Sequence, residues 1–356
     1  MNRVTAPVTD AAAETLLEDL VTAYSPSYNE ATAVQHLVDW MHDHGYDQAF
    51  IDKSGSAVGI IGQGEHDVVL LGHIDTFPGD LPVQRDGRLL YGRGTVDAKG
   101  PLCTFAATAA RAALPDNIRL IVIGAVEEEA PTSKGARYAA TRYQPAACII
   151  GEPSNWDRIT LGYKGRLLLD WTWRGALAHS AGQATSPAEH AVAYWRRVCD
   201  YVNNINNGTE AVFARLDATL QAINTRENGA YGEASLTAGF RLPPTVTPAE
   251  VEAALQPENG ATLSARGQEV AFVSDRDNAL SRAMRGAIRA QGGTPRFVHK
   301  TGTSDMNVVG PIWQCPIVAY GPGDSALDHT PEEHIDLDEY LNAINVLAGT
   351  LERLKL

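Results

Sequence analysis

The stretch Ile118-Arg-Leu-Ile-Val-Ile-Gly-Ala-Val126, which runs directly into Glu127-Glu128-Glu129, decides the fold. Its apolar residues do not alternate with polar ones, so it reads as a strand covered on both faces. Val68-Val-Leu-Leu-Gly72, Cys148-Ile-Ile-Gly151 and Ile317–Tyr320 read the same way. Helical spacing fills the intervals at about 10–24, 30–45, 101–113, 278–291 and 337–354. The last of these places Leu337, Leu341, Ile344, Leu347, Leu351 and Leu354 on one stripe. Buried strands separated by helices predict an α/β fold whose mostly parallel sheet is covered by helices. After Lys164-Gly165 the pattern changes to a strand at Leu167–Trp173, a long helix at 186–207, a strand at Glu233–Arg241 and a short helix at 247–256. That is an inserted α+β domain, which divides the chain into 1–164 with 275–356, and 165–274.

The polar residues follow the strands. His73 and Glu152 each stand just past an apolar run, and Glu128 and Glu129 follow the run ending at Val126. Carboxyl ends of strands are where open α/β sheets build their sites. Asp97 closes the glycine-rich turn Gly92-Arg-Gly-Thr-Val-Asp97, and His329 lies in Asp-His-Thr-Pro. Two imidazoles and three carboxylates can hold two divalent cations if one carboxylate bridges them. Two dications against three carboxylates and one hydroxide sum to zero, which a low-dielectric pocket holds more cheaply than net charge. Asp75, two residues past His73 in an extended segment, points the same way and is placed to orient that imidazole. Glu128 beside Glu129 leaves one carboxylate for a metal and its neighbour for moving protons. Neither a Gly-x-Ser-x-Gly elbow nor a phosphate-binding Gly-Lys-Ser/Thr loop is present.

Composition narrows the remaining classes. The chain has 356 residues, 44% hydrophobic and 20% charged, enough for two domains. No run of 18 apolar residues exists, and the first residues lack the apolar core of a signal peptide. The four scattered cysteines read as buried thiols of a cytoplasmic protein. A net charge of −14 argues against nucleic acid. The charge is uneven: 134–174 carries seven bases against three acids, and 276–300 six against one. Such stretches are either solvated faces or a rim that receives an acidic partner.

In order along the chain stand Ser-Pro-Ser (25–27), Gly-His-Ile-Asp-Thr (72–76), Gly-Arg-Gly-Thr-Val-Asp-Ala-Lys-Gly (92–100), Glu-Glu (128–129), Gly-Glu-Pro-Ser (151–154), Ala-His-Ser (178–180) and His-Thr-Pro-Glu-Glu (329–333). Together they resemble the M20 family of dinuclear zinc amidohydrolases, over essentially the whole chain. The resemblance implies that Asp97 bridges two metal ions, zinc first and cobalt as a substitute. His73 and Glu152 would complete one site, Glu129 and His329 the other. Glu128 would be the general base and acid, Asp75 the partner behind His73, and Asp97–Ala98 a cis peptide. The inserted domain would be a lid or dimerisation domain of a homodimer. There His179 would polarise the scissile carbonyl, Arg241 would grip a substrate carboxylate, and Asn228, thirteen residues before it, would be a further substrate-binding residue.

Residues 124–137 and 300–307 are most similar to the branch that hydrolyses lysine or ornithine from an acidic, LysW-type amino-group carrier protein. In that branch the amino group is capped by the γ-carboxyl of the carrier's terminal glutamate. Thr303 and Ser304 would then lie near the departing amino acid, with backbone N–H groups toward its carboxylate. Alternatives are deacylation of free N-acetylornithine, acetyl-lysine or succinyl-diaminopimelate, and a dipeptidase or carboxypeptidase activity.

Overall fold

A computed structural model describes residues 8–177, 185–258 and 260–356. The chain forms two compact units. The first takes in the chain through Gly162, then Ser274–His299 and Ser304–Leu356; the second is Tyr163–Val273 with Lys300–Thr303. No described helix is long and apolar enough to cross a membrane.

The first unit is built on a mixed sheet. From one edge its strands run Gln48–Ile51, Ala57–Ile61, Ile118–Ala125, His66–His73, Ala147–Gly151, Ile317–Tyr320 and Arg158–Tyr163, with Arg296–Lys300 also beside the last. The four central strands are parallel. They are the apolar runs of the sequence, and their burial explains the lack of alternation. Val68 and Leu70 pack into a cluster with residues of helices Asp10–Thr22, Ala31–Asp43, Lys99–Arg111, Ala279–Ala290 and Leu337–Arg353. Val69 and Leu71, on the opposite face, are equally buried. This is the expected α/β class.

Register brings distant residues together. Gly72 stands opposite both Gly124 and Gly151, and His73 opposite Ala125. The residues after each strand therefore emerge side by side at one edge of the sheet. Gly151 is required there, because a Cβ would lie 2.9 Å from the Gly72 Cα and from the Phe105 ring. A small three-stranded sheet, Gln84–Asp86, Leu89–Tyr91 and His334–Asp336, lays the segment after His329 against the chain leading to Asp97.

The second unit is a four-stranded antiparallel sheet in the order Asp217–Glu227, Tyr231–Leu242, Gly165–Ala176, Ala261–Glu269. Alternate residues Leu167, Leu169, Trp171, Leu236, Ala238 and Phe240 form its core with Ala191, Tyr194 and Val198 of helix Pro187–Ile205. That helix starts in a capping box between Ser186 and Glu189.

One buried cation ties a surface helix to the site loop. Lys99, fully buried, donates from Nζ to the carbonyls of Leu20 and Ala23, both at 2.8 Å. These close the C-terminus of helix Asp10–Thr22, where a positive charge is favoured. Replacing Lys99 by Met leaves both carbonyls unpaired and should lower unfolding free energy by about 1–3 kcal/mol in urea titrations. Burial brings the Lys99 ammonium down to about 8, whereas an unfolded lysine titrates near about 10.4. The folded chain releases this proton first, so wild-type stability should gain on Lys99→Met as the buffer rises from pH 8 toward pH 10. A difference that stays flat or shrinks over that window contradicts the assignment.

Candidate metal centre

His73 ends its strand with its ring 2% exposed. Its Nδ1 lies 2.9 Å from the Asp75 carbonyl oxygen, which can only accept. In a neutral ring Nδ1 therefore carries the hydrogen and Nε2 keeps its lone pair, the tautomer a metal requires. Nε2 faces Asp97 Oδ1 at 3.2 Å. The other Asp97 oxygen, Oδ2, lies 3.1 Å from His329 Nε2, which in turn is 2.9 Å from Glu129 Oε1. Asp97 thus presents one oxygen to each imidazole. Glu152, buried at the end of strand Ala147–Gly151, joins His73 and Asp97. Two groups result, His73–Asp97–Glu152 and Asp97–Glu129–His329, each with ligand atoms within 4.8 Å of one another. The Asp97–Ala98 peptide is cis.

The acid turn is sorted by its hydrogen bonds. Asp75 accepts from the backbone N–H of Glu128 and of Glu129, both at 3.0 Å, and from Ser27 Oγ at 2.7 Å. Its carboxylate therefore mainly anchors the turn, while its carbonyl orients His73; Oδ1 is 3.5 Å from Nδ1. Glu127 is drawn off by Thr132 Oγ1 at 2.6 Å and Lys134 Nζ at 3.4 Å. Glu128 and Glu129 remain with the cluster. His329 has φ 61°, and its ring stacks on Phe77 at 4.3 Å.

The electrostatics of the cluster follow from this crowding of acids. Burial, then repulsion from Asp305, Glu129 and Asp97, pushes the Glu128 carboxyl well above its usual range, partly opposed by His73. Burial with Glu128 and Asp97 does the same to Glu152, and burial with Asp97 raises Glu129. Hydrogen bonds to Asp97 and Glu129 raise His329 to about 10. Burial opposes a charged His73, yet Asp75 and Asp97 hold it well above normal. Three carboxyls that repel one another, around an Asp97 that His329 and His73 hold well below its usual range against burial, are a donor set suited to divalent cations. Imidazole mixed with carboxylate fits zinc-like ions.

The remaining expected residues are placed differently. Arg241 donates from Nη1 to Thr303 Oγ1 at 2.7 Å, and that hydroxyl donates to the Lys164 carbonyl at 3.2 Å. Ser304 caps helix Asp305–Trp313: its hydroxyl accepts from Met306 N, and its own N–H is donated to Asn307 Oδ1 at 3.0 Å. That N–H is thus engaged in the cap. Asn228 sits at the turn of the hairpin that carries Arg241 at its far end, and its Oδ1 accepts from Tyr231 N at 2.8 Å. The hairpin therefore holds Asn228 and Arg241 apart. His179 lies outside the described residues. Glu333, Arg93 and Phe77 escaped the sequence reading; Glu333 lies within His-Thr-Pro-Glu-Glu, whose own residues do not reveal what it binds.

Residues 69–353 match the family model described as Peptidase family M20/M25/M40. A relative from Deinococcus radiodurans named LysW-lysine hydrolase is 48% identical, covering 98% of this chain and 99% of its own. One from Thermococcus kodakarensis, named putative LysW-lysine/LysW-ornithine hydrolase, is 38% identical over 95% of this chain and 91% of its own. The crystal structure of an M20 family metallo-carboxypeptidase from Sulfolobus solfataricus shares the fold, with a TM-score of 0.79 at 17% identity over 96% of this chain and 99% of that one.

The geometry predicts the metal count. Protein stripped by chelator and titrated with zinc should take up two ions per chain. His329→Ala removes a ligand from one group only and should leave one tight ion, read by elemental analysis after desalting. Two tight ions in that variant would contradict the division into two groups.

Proposed function

Because the chain belongs to peptidase family M20/M25/M40, we propose that it is a metal-dependent amidohydrolase releasing lysine or ornithine from a LysW-type carrier protein. The chemistry is carried by one observation: two donor groups that meet at a single shared carboxylate, Asp97. The substrate class is supported by end-to-end similarity to the LysW-lysine hydrolase of Deinococcus radiodurans.

His73, Asp97 and Glu152 would hold one cation and Asp97, Glu129 and His329 the other, zinc by preference and cobalt as a substitute. Bound there, the ions would polarise the amide carbonyl and bring water's pKa near neutrality. Glu128 is the proton carrier. Its carboxyl, beside the cluster, would take a proton from water and give it to the leaving amine. Asp75 fixes the main chain of Glu128 through the N–H bond at 3.0 Å. His179 would polarise the carbonyl, and a homodimer is the assembly proposed. Arg241 offers its guanidinium fork to a substrate carboxylate, with Thr303 as its support.

The carrier accounts for the uneven charge. In a chain of net charge −14, Arg276, Arg282, Arg289 and Arg296 are all exposed, and a face of that sign suits an acidic protein. The four cysteines are free thiols, in keeping with a cytoplasmic enzyme.

Glu128→Gln should retain both zinc ions yet lose about 10²–10⁴-fold in kcat; a rate near wild type removes Glu128 from this role. The substrate is tested by hydrolysis of carrier-linked lysine, carrier-linked ornithine and N-acetylornithine by the zinc-loaded enzyme. The conjugates should be strongly preferred. Equal or faster turnover of N-acetylornithine would make the protein a small-molecule deacylase instead.

A further inference from the structure

Glu333 belongs to neither donor group, yet it is 1% exposed. Its Oε1 accepts three backbone N–H bonds, from Gly94 at 2.9 Å, Val96 at 3.0 Å and Asp97 at 3.2 Å. Its Oε2 accepts from Arg93 Nη1 at 2.7 Å. Arg93 is itself buried and also donates to the carbonyls of Gly79 and Thr330. The Glu333 carbonyl completes the clasp by accepting from Gly92 N at 3.2 Å. One carboxylate therefore gathers the whole turn from 92 to 97.

We propose that Glu333 is the positioning residue that sets Asp97 between the two cation sites, acting through the backbone of residues 94–97. This rests on the two-cation reading above. The turn needs such a fastening. Residues 92–98 belong to no strand or helix, and Gly92 and Gly94 adopt φ of 150° and 88°, which leaves the main chain with wide freedom. Asp97 must nevertheless aim one oxygen at each imidazole. Its own N–H is one of the three that Glu333 holds, so a shift of that carboxylate moves the bridging group directly. The segment 329–333 also carries His329, so one short stretch presents a ligand and fastens the shared one.

Two lesser roles make different predictions. A residue that only stabilises the fold changes the melting temperature and leaves ion affinity alone. A residue that acts through His329 weakens one ion and spares the other. Acting through Asp97 weakens both.

The test is a chelator-competition titration of the metal-free full chain with zinc alone. It compares wild type, Glu333→Ala, Glu333→Met, Glu333→Gln and, as a control, the exposed neighbour Glu332→Ala. Circular dichroism and melting temperature are recorded alongside. Glu333→Ala should lower both stepwise affinities by about 10–100-fold, the range seen when a ligand's outer partner is removed. Glu332→Ala should match wild type. If the alanine variant does not fold, Glu333→Met, which fills similar space and accepts none of the three N–H bonds, decides by the same criterion. Glu333→Gln, which keeps one acceptor oxygen, should fall between it and wild type. Affinities within about threefold of wild type for either ion in a folded Ala or Met variant overturn the inference. A wild-type chain that takes up fewer than two ions refutes the two-cation reading itself, a result distinct from failure of the Glu333 inference.

Discussion

Buried like charge around Asp97 is the constraint on which the rest of the structure depends. Asp97, Glu129 and Glu152 bring carboxylate oxygens into groups only 4.8 Å across, and Glu128 adds a fourth acid that feels their field. Two unit charges at about 4 Å repel by about 4 kcal/mol at an effective dielectric of about 20. No fold gathers such groups by accident. The parallel sheet does so by register, ending His66–His73, Ile118–Ala125 and Ala147–Gly151 side by side at one edge. The acids are then held in place against their own repulsion.

The holding is done by other acids. Asp75 grips the N–H groups of Glu128 and Glu129, Glu30 those of Tyr28 and Glu127, and Glu333 those of Gly94, Val96 and Asp97. Each is a buried carboxylate facing backbone amides of a loop that carries or adjoins a proposed ligand. Backbone N–H groups stabilise the charge without adding mobile side chains, so the loops become stiff where they carry function. Lys99 supplies a balancing cation, set on helix carbonyls directly after the Asp97 turn.

Much of the first unit was legible because its strands are buried on both faces and so advertise themselves as apolar runs. His73 and Glu152 were visible for the same reason, as polar residues placed just past such runs. Elements with weaker burial were missed. Asp217–Glu227 is an edge strand, largely exposed, with no apolar period to betray it. Helix Lys134–Arg142 buries only a glycine and alanines. A cap and a hairpin turn satisfy the polar groups of Ser304 and Asn228 locally, which a bare sequence does not reveal. Glu333 and Arg93 were illegible for another reason: their bonds span about 240 residues, and only the fold reveals them.

The account stands on Asp97 as a ligand shared by two ions, and anomalous diffraction from crystals of the zinc-loaded protein tests this most directly. Two zinc peaks about 3.5–4 Å apart, with one Asp97 oxygen on each, are the predicted result. A single peak, or two peaks of which Asp97 touches only one, would contradict it.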